Sequence, residues 1–310
     1  MRSRMVLCLA SVFIGLNMGF SIAVSQEFRV TLLGTGNPLP TLTRFGSSIL
    51  IRAGDETLVF DTGRGTAQRL FQLGVPFSAI DVVFLTHLHS DHVVGFPDLW
   101  LTGWVVGRRI APLQLIGPTG TAEMAGCLEK AFAFDIRMRV EDGGRAAGGG
   151  RLTARDIAQG FVYEKNGVRV TAFDVDHGAV KPALGYRIEY RGHLVVLSGD
   201  TRFSENLIEF SKGADVLVHE VVLAPPDIQP SDRGYAAFAH HTTPEQAAVV
   251  FSRVKPKLAV YSHIVSIWGL KDEELTLRTG RLYPGRFEVG EDLMSFVIAD
   301  SVLIERPHRN

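Results

Sequence analysis

The sequence predicts one α/β domain, and three observations carry that expectation. Short runs of strand character alternate with segments of helical spacing from about Phe28 onward. One run, Asp81–Thr86, is almost continuously apolar, as in a strand covered on both faces. No shift of composition, long linker or internal repeat divides the 310 residues into two cores. With 46% hydrophobic and 21% charged residues the chain can bury a large core, and 32 glycines suit many tight turns.

Taken in order, Phe28–Leu33 reads as a strand that ends in the turn-rich Gly34-Thr35-Gly36-Asn37-Pro38. Ser48–Arg52 and Leu58–Phe60 are strands around a Gly54 turn, and Thr66–Leu73 is a helix stopped by Gly74. After the Asp81–Thr86 strand come a helix over Phe96–Trp104, a strand over Leu113–Ile116 and a helix over Thr119–Phe134. Residues 141–151 are glycine-rich and predict a mobile loop. Strands follow at Val168–Phe173, Tyr186–Tyr190, His193–Leu197, Val216–His219 and Leu258–Ser262, with helices at Glu205–Phe210 and Pro244–Arg253.

The first 25 residues stand apart. Arg2 and Arg4 precede an apolar run from Met5 to Val24, and Ala23-Val24-Ser25 has the small residues of a cleavage site. This is the order of a secretory signal, although a retained anchor is the other reading of such a run. The expectation is a signal peptide over residues 1–25 and a mature domain over 26–310, periplasmic or secreted and without stable membrane association. Losing two arginines and no acid takes the formal charge from −1 to −3, which disfavours unspecific binding of polyanions. Cys127 then remains without an internal partner and reads as a small buried hydrophobe rather than a reactive thiol.

The chemistry gathers in Thr86-His87-Leu88-His89-Ser90-Asp91-His92, directly after a buried strand. In extended chain His87 and His89 point the same way, and Asp91 and His92 can turn toward a neighbouring point. Such a geometry serves two adjacent cations better than one. Further candidates close later strands: His177, Asp200, His219 with Glu220, and His263. Side chains at the same ends of several strands converge on one site in α/β scaffolds. A donor set of imidazole and carboxylate without thiolate suits Zn²⁺ and leaves Mn²⁺ or Fe²⁺ open.

The His87-Leu-His89-Ser-Asp91-His92 run resembles the HxHxDH signature of the metallo-β-lactamase superfamily. Later motifs resemble its ribonuclease Z and arylsulfatase branch: Asp61-Thr-Gly, His177 with Gly185-Tyr186-Arg187-Ile188, Ser198-Gly199-Asp200-Thr201, His219-Glu220, His241-Thr242-Thr243 and Ser262-His263. The likeness runs from about residue 28 to 298. It implies a four-layer αββα sandwich with two divalent metal ions at one edge. It further implies that His87, His89 and His177 hold one ion, that Asp91, His92 and His263 hold the other, and that Asp200 bridges them. Asp91 would accept a hydrogen bond from the nucleophilic water, and His241 would act as general acid oriented by Glu220. A Glu220–His241 pair that merely orders its loop is the alternative, and His240 is an alternative to His241. Asp61 reads equally as an anchor for a ligand histidine or as a turn former before Gly63. His219 reads as structural, and His193 and His308 as surface residues.

Three departures set the expectation for substrate. There is the leader; there is no Lys/Arg-rich arm before His177; and Ile264-Val-Ser-Ile-Trp268-Gly follows His263 in place of Ser-x-Arg-Tyr. Together they predict an exported dinuclear hydrolase of phosphodiesters or aryl sulfate and phosphate esters, with a small-molecule ester substrate, nucleic acid unfavoured, and a homodimer in keeping with the branch. A lactonase or β-lactamase-type hydrolase of cyclic esters and amides is a second reading, and a non-catalytic metal-binding protein a third. Trp100, Trp104, Phe238 and Trp268 are candidates for an aromatic mouth, or for ordinary packing.

Overall fold

Strands β1 (Phe28–Gly34), β2 (Ser48–Ala53), β3 (Glu56–Phe60), β4 (Val82–Phe84), β5 (Leu113–Pro118) and β6 (Leu152–Ile157) lie side by side in chain order. The chain then builds a second sheet from β7 (Gly160–Lys165), β8 (Val168–Asp174), β9 (Leu184–Tyr190), β10 (His193–Leu197), β11 (Val216–Val222), β12 (Leu258–Val265) and β13 (Phe287–Val289), again in order. Finally β14 (Ser295–Ile298) and β15 (Val302–Glu305) return to the first sheet beside β1. The computed structural model describes residues 27–307, so the leader read at residues 1–25, and His308, lie outside the described residues. Among the described residues no helix is long and apolar enough to cross a membrane.

Alternation of side chains in these strands gives each sheet two apolar faces, and three packed layers of side chains result. Between the sheets, Phe60, Phe84, Tyr163, Tyr186, Val218 and Val260 belong to one continuous core. Ring contacts cross the gap there, Phe60 and Phe84 each meeting Tyr186 edge-on with centroids 5.2 and 5.5 Å apart. The outer face of the first sheet is covered by α1 (Thr66–Gln72), α2 (Ser90–Val93), α3 (Phe96–Val105), α4 (Thr121–Ala131) and α5 (Ala133–Glu141), with the helical Leu70, Leu99 and Trp100 in one cluster with Val59, Val83 and Leu115 of the strands. On the second sheet α6 (Glu205–Phe210), α7 (Tyr235–Ala239), α8 (Pro244–Val254) and α9 (Asp272–Gly280) follow, and the helical Phe251 and Leu275 pack over Leu217 and Tyr261. This is the four-layer sandwich that the resemblance implied.

Helix α8 shows the local logic best. Thr243 accepts from the Gln246 N–H while Gln246 Oε1 accepts from the Thr243 N–H, a capping box followed at once by Pro244. Ala247, Val250, Phe251 and Val254 then recur at helical spacing and are all buried.

Several expectations are corrected. The predicted helix over Thr119–Phe134 is two helices, because the chain breaks at Phe132, whose ring packs edge-on to Trp100 at 6.2 Å. The glycine-rich segment is not a free loop: a 3₁₀ turn at Ala147–Gly150 is pressed on Trp104, whose indole N–H donates to the Ala146 carbonyl at 2.8 Å. A Cβ at Gly149 would lie 1.9 Å from the Arg109 carbonyl oxygen, so absence of a side chain is what allows this closeness. Trp100 and Trp104 are therefore core residues and line no mouth. Cys127 is exposed, not buried, on the outward side of α4.

Candidate metal centre

The parallel strands β3, β4, β5 and β10, β11, β12 bring their carboxyl ends to one edge of the sandwich. His87 follows β4, His177 follows β8, Asp200 follows β10, and His263 lies near the end of β12. Beside it the β11–β12 register shifts between His219 and Val221, and His263 itself takes a left-handed backbone with φ 43°. Such an irregularity re-aims a side chain that a regular ladder would point elsewhere.

Two groups of donors assemble, His87, His89 and His177 in one, Asp91, His92 and His263 in the other, each with donor atoms within 4.8 Å of one another. Asp200 joins them: its Oδ2 lies 3.8 Å from His87 Nε2, 3.3 Å from His92 Nε2, 3.3 Å from His263 Nε2 and 3.9 Å from His177 Nε2. Asp91 Oδ2 lies 3.2 Å from His263 Nε2 and 3.6 Å from His92 Nε2. Every residue singled out in the sequence as a ligand is thus drawn to one point.

The chemistry of these atoms fits a metal. His87 Nε2 and His92 Nε2 are buried and have no hydrogen-bond partner. A buried polar atom without a partner is costly, and a cation accepting its lone pair removes the cost. Burial holds the His87, His89 and His177 imidazoles below their ordinary pKa, in the neutral form that ligates. Burial works against a charged Asp200, yet the surrounding His263 and His92 hold its carboxyl well below the usual range.

On two of the rings, His92 and His177, the far nitrogen is tied down, which fixes which nitrogen faces inward. His92 Nδ1 lies 2.7 Å from Asp61 Oδ2, and His177 Nδ1 lies 3.0 Å from the His240 carbonyl oxygen. Asp61 also accepts from the Thr86 N–H and hydroxyl, both at 2.8 Å, and sits at φ 56°. The contact places Asp61 to anchor His92, while its left-handed backbone is that of a turn residue. Asn tolerates the left-handed region, so Asp61→Asn keeps the backbone and removes only the carboxylate charge. The expected result is about 10- to 100-fold weaker metal binding in a competition titration with a chromogenic chelator; unchanged affinity would leave Asp61 a turn residue.

Behind Asp61, Gly63 is wedged between strands and site: a Cβ there would meet the Gly46 carbonyl carbon at 2.4 Å and the Asp91 oxygen at 2.6 Å. These are backbone atoms, so Gly63→Ala is expected to cost about 1–3 kcal/mol in denaturant unfolding and to loosen the Asp91 loop.

Glu220 and His241 meet at the rim. His241 Nδ1 lies 3.0 Å from Glu220 Oε2, and the Thr242 N–H donates to Glu220 Oε1 at 2.8 Å. Burial opposes charge on His241, but Glu220 outweighs it and lifts the imidazole to about 9. His241 also falls within ligand reach of His177 and Asp200. His219 is fully buried with Nδ1 2.6 Å from the Glu220 carbonyl oxygen, a structural place as read; His193 stands 3.4 Å from Asp215. The sequence gives no role to the His240 carbonyl, which has no side-chain signature, or to Ser198 of the Ser198-Gly199-Asp200-Thr201 run, whose hydroxyl accepts from the Glu220 N–H at 3.0 Å.

A two-sheet, four-layer sandwich with this His/Asp cluster at one edge defines the class. Residues 56–264 match the family described as the Beta-lactamase superfamily domain, and the chain belongs to the metallo-β-lactamase superfamily, a family of hydrolases. More particularly, Ribonuclease Z of Mycobacterium bovis (strain BCG / Pasteur 1173P2) is 36% identical over 268 residues, covering 85% of this chain and 96% of that protein. Ribonuclease Z of Mycobacterium marinum is likewise 36% identical, over 269 residues, with 85% and 96% coverage. Among solved structures, human tRNase Z, short form, superposes with TM-score 0.64 at 22% identity over 86% of this chain and 98% of that one. The metallo-β-lactamase fold protein YhfI from Bacillus subtilis gives TM-score 0.69 at 18% identity, with 87% and 99% coverage. At such identities the structures speak for the fold alone.

These relatives overturn two expectations. An exported hydrolase of small esters is not what proteins 36% identical across nearly their whole length are named for, and nucleic acid is no longer unfavoured. Neither export nor aryl sulfate hydrolysis finds support among them. Leader, net charge and missing motifs all point away from RNA in the sequence, yet a polyanion-binding surface need not be contiguous in sequence.

Proposed function

We propose that this chain is a metal-dependent ribonuclease that hydrolyses phosphodiester bonds of RNA. The observation that carries the reading is the 36% identity with proteins named Ribonuclease Z across 85% of this chain and 96% of theirs. The Glu220–His241 pair beside the donor cluster supports it, because expelling an alkoxide from a phosphodiester calls for a positioned acid, whereas lactam or lactone opening has other routes.

In this reading His87, His89 and His177 would hold one divalent ion and Asp91, His92 and His263 the other, with Asp200 facing both groups. When bound, the ions, Zn²⁺ by the donor set, supply Lewis acidity and a nucleophile at neutral pH. The protein does the rest. Asp61 and the His240 carbonyl keep two imidazoles in register, and Asp91 takes a hydrogen bond from the attacking water. As the phosphorus–oxygen bond breaks, the leaving ribose oxygen takes the proton from His241, and Glu220 stabilises the charge His241 carries beforehand.

The test is cleavage of a folded RNA with a single-stranded extension, precursor tRNA being the natural first choice, by the full chain loaded with Zn²⁺. Cleavage that chelator abolishes and Zn²⁺ or Mn²⁺ restores is the expected outcome. A fully loaded protein that leaves RNA intact overturns the proposal.

A further inference from the structure

One apolar cluster stands apart from the three layers of core. Val222, Ala224 and Val265 are buried, and Phe238, Trp268, Ile228 and Ala237 pack on them while staying partly open to solvent. Its place follows from the strands that carry the site. Val222 lies two residues beyond Glu220 on β11, Val265 two beyond His263 on β12, and the two are paired across the ladder. The cluster therefore begins just past those residues along both strands. Phe238, on α7, precedes His241 by three residues.

The aromatic surface is held firmly. Trp268 Nε1–H donates to the Arg233 carbonyl at 3.2 Å, joining the two loops. Gly234, at φ +87°, lies so close that a Cβ would meet Ile267 Cδ1 at 2.5 Å and Trp268 Cζ2 at 2.9 Å. Tyr235 and Phe238 lean together with ring centroids 5.6 Å apart, and Ile267 leaves 44% of its surface exposed. The rings thus flank the segment that supplies the proposed acid.

We propose that Phe238 and Trp268 form a stacking ledge for an unpaired nucleobase, that of the nucleotide bearing the leaving oxygen. The inference rests on the ribonuclease reading and sharpens it. His241 must reach that oxygen, so the nucleotide attached to it passes Phe238, three residues before the acid, and Trp268, packed in the same cluster from the loop after β12. A half-buried aromatic face beside a polar centre suits a base, since each base has a π-face and stacking tolerates any sequence. It also accounts for Trp268 in the run after His263, where the sequence departs from Ser-x-Arg-Tyr.

The test compares an RNA cut at one mapped bond with two versions lacking the base at one or the other flanking nucleotide. Wild type is expected to lose roughly tenfold or more in kcat/KM, chiefly through KM, only when the leaving-side base is missing. Trp268→Ala and Phe238→Ala lose a comparable factor on the intact RNA and become indifferent to that base; Trp268→Phe retains most activity. Metal content and unfolding midpoint are measured on each variant. If wild type ignores the missing base, or Trp268→Ala keeps the wild-type ratio of intact to base-free substrate, the ledge is wrong while the ribonuclease stands. If wild type cuts no RNA at all, the ribonuclease reading fails first, and the ledge with it.

Discussion

Asp200→Asn is expected to lower RNA cleavage by at least about 10²- to 10³-fold and to leave less than two equivalents of metal bound. The carboxylate faces His87, His92, His263 and His177 at once, at 3.3 to 3.9 Å, and is almost wholly buried. An amide of the same shape keeps the packing but removes the one negative charge common to both donor groups. Two divalent ions then repel without a shared counter-charge. Metal analysis after gel filtration, alongside the cleavage rate, separates this from misfolding, since the fold should survive an isosteric change. A variant holding two equivalents and cutting at the wild-type rate would remove Asp200 from the bridge.

The second large effect concerns His241 and Glu220. His241→Ala is expected to reduce kcat by about 10²- to 10⁴-fold, the usual worth of a positioned acid. The sign of the Glu220 effect follows from the titration. An acid works while protonated, so the rate falls as pH rises through its pKa. Burial pulls the His241 imidazole down, and the Glu220 carboxylate raises it to about 9. Glu220→Gln removes the raising charge while its amide oxygen can still accept from the Thr242 N–H. The basic limb of the pH–rate profile should therefore move to lower pH. Nearby metal charge lowers the limb in both proteins, so their difference reports on Glu220 itself. Coincident limbs would mean that the pair only orders its loop.

The donor set was legible because most of it is local: His87, His89, Asp91 and His92 share one short loop, and the rest close strands recognisable by β-branched runs. Such features survive in one dimension. The missed elements lack that signature. The terminal strands β14 and β15 sit next to β1 only because the chain returns across the sheet, and β6 and β7 are largely exposed, so their patterns are blurred. The substrate was misread because it was argued from a leader, a net charge and absent motifs, and none of these describes a surface assembled from distant residues.

What the sequence by itself determined is the class of the protein, the imidazole and carboxylate donors and the strand ends that bring them together. The tertiary structure alone decided how each is used. It showed Asp61 against His92, the His240 carbonyl against His177, Trp100 and Trp104 in the core, and Phe238 with Trp268 packed on Val222 and Val265. The division has a physical reason. Metal-donor chemistry belongs to side-chain type and short spacing, which sequence records. Tautomer, burial and neighbourhood depend on contacts between residues tens of positions apart, which exist only once both sheets have closed on their common core.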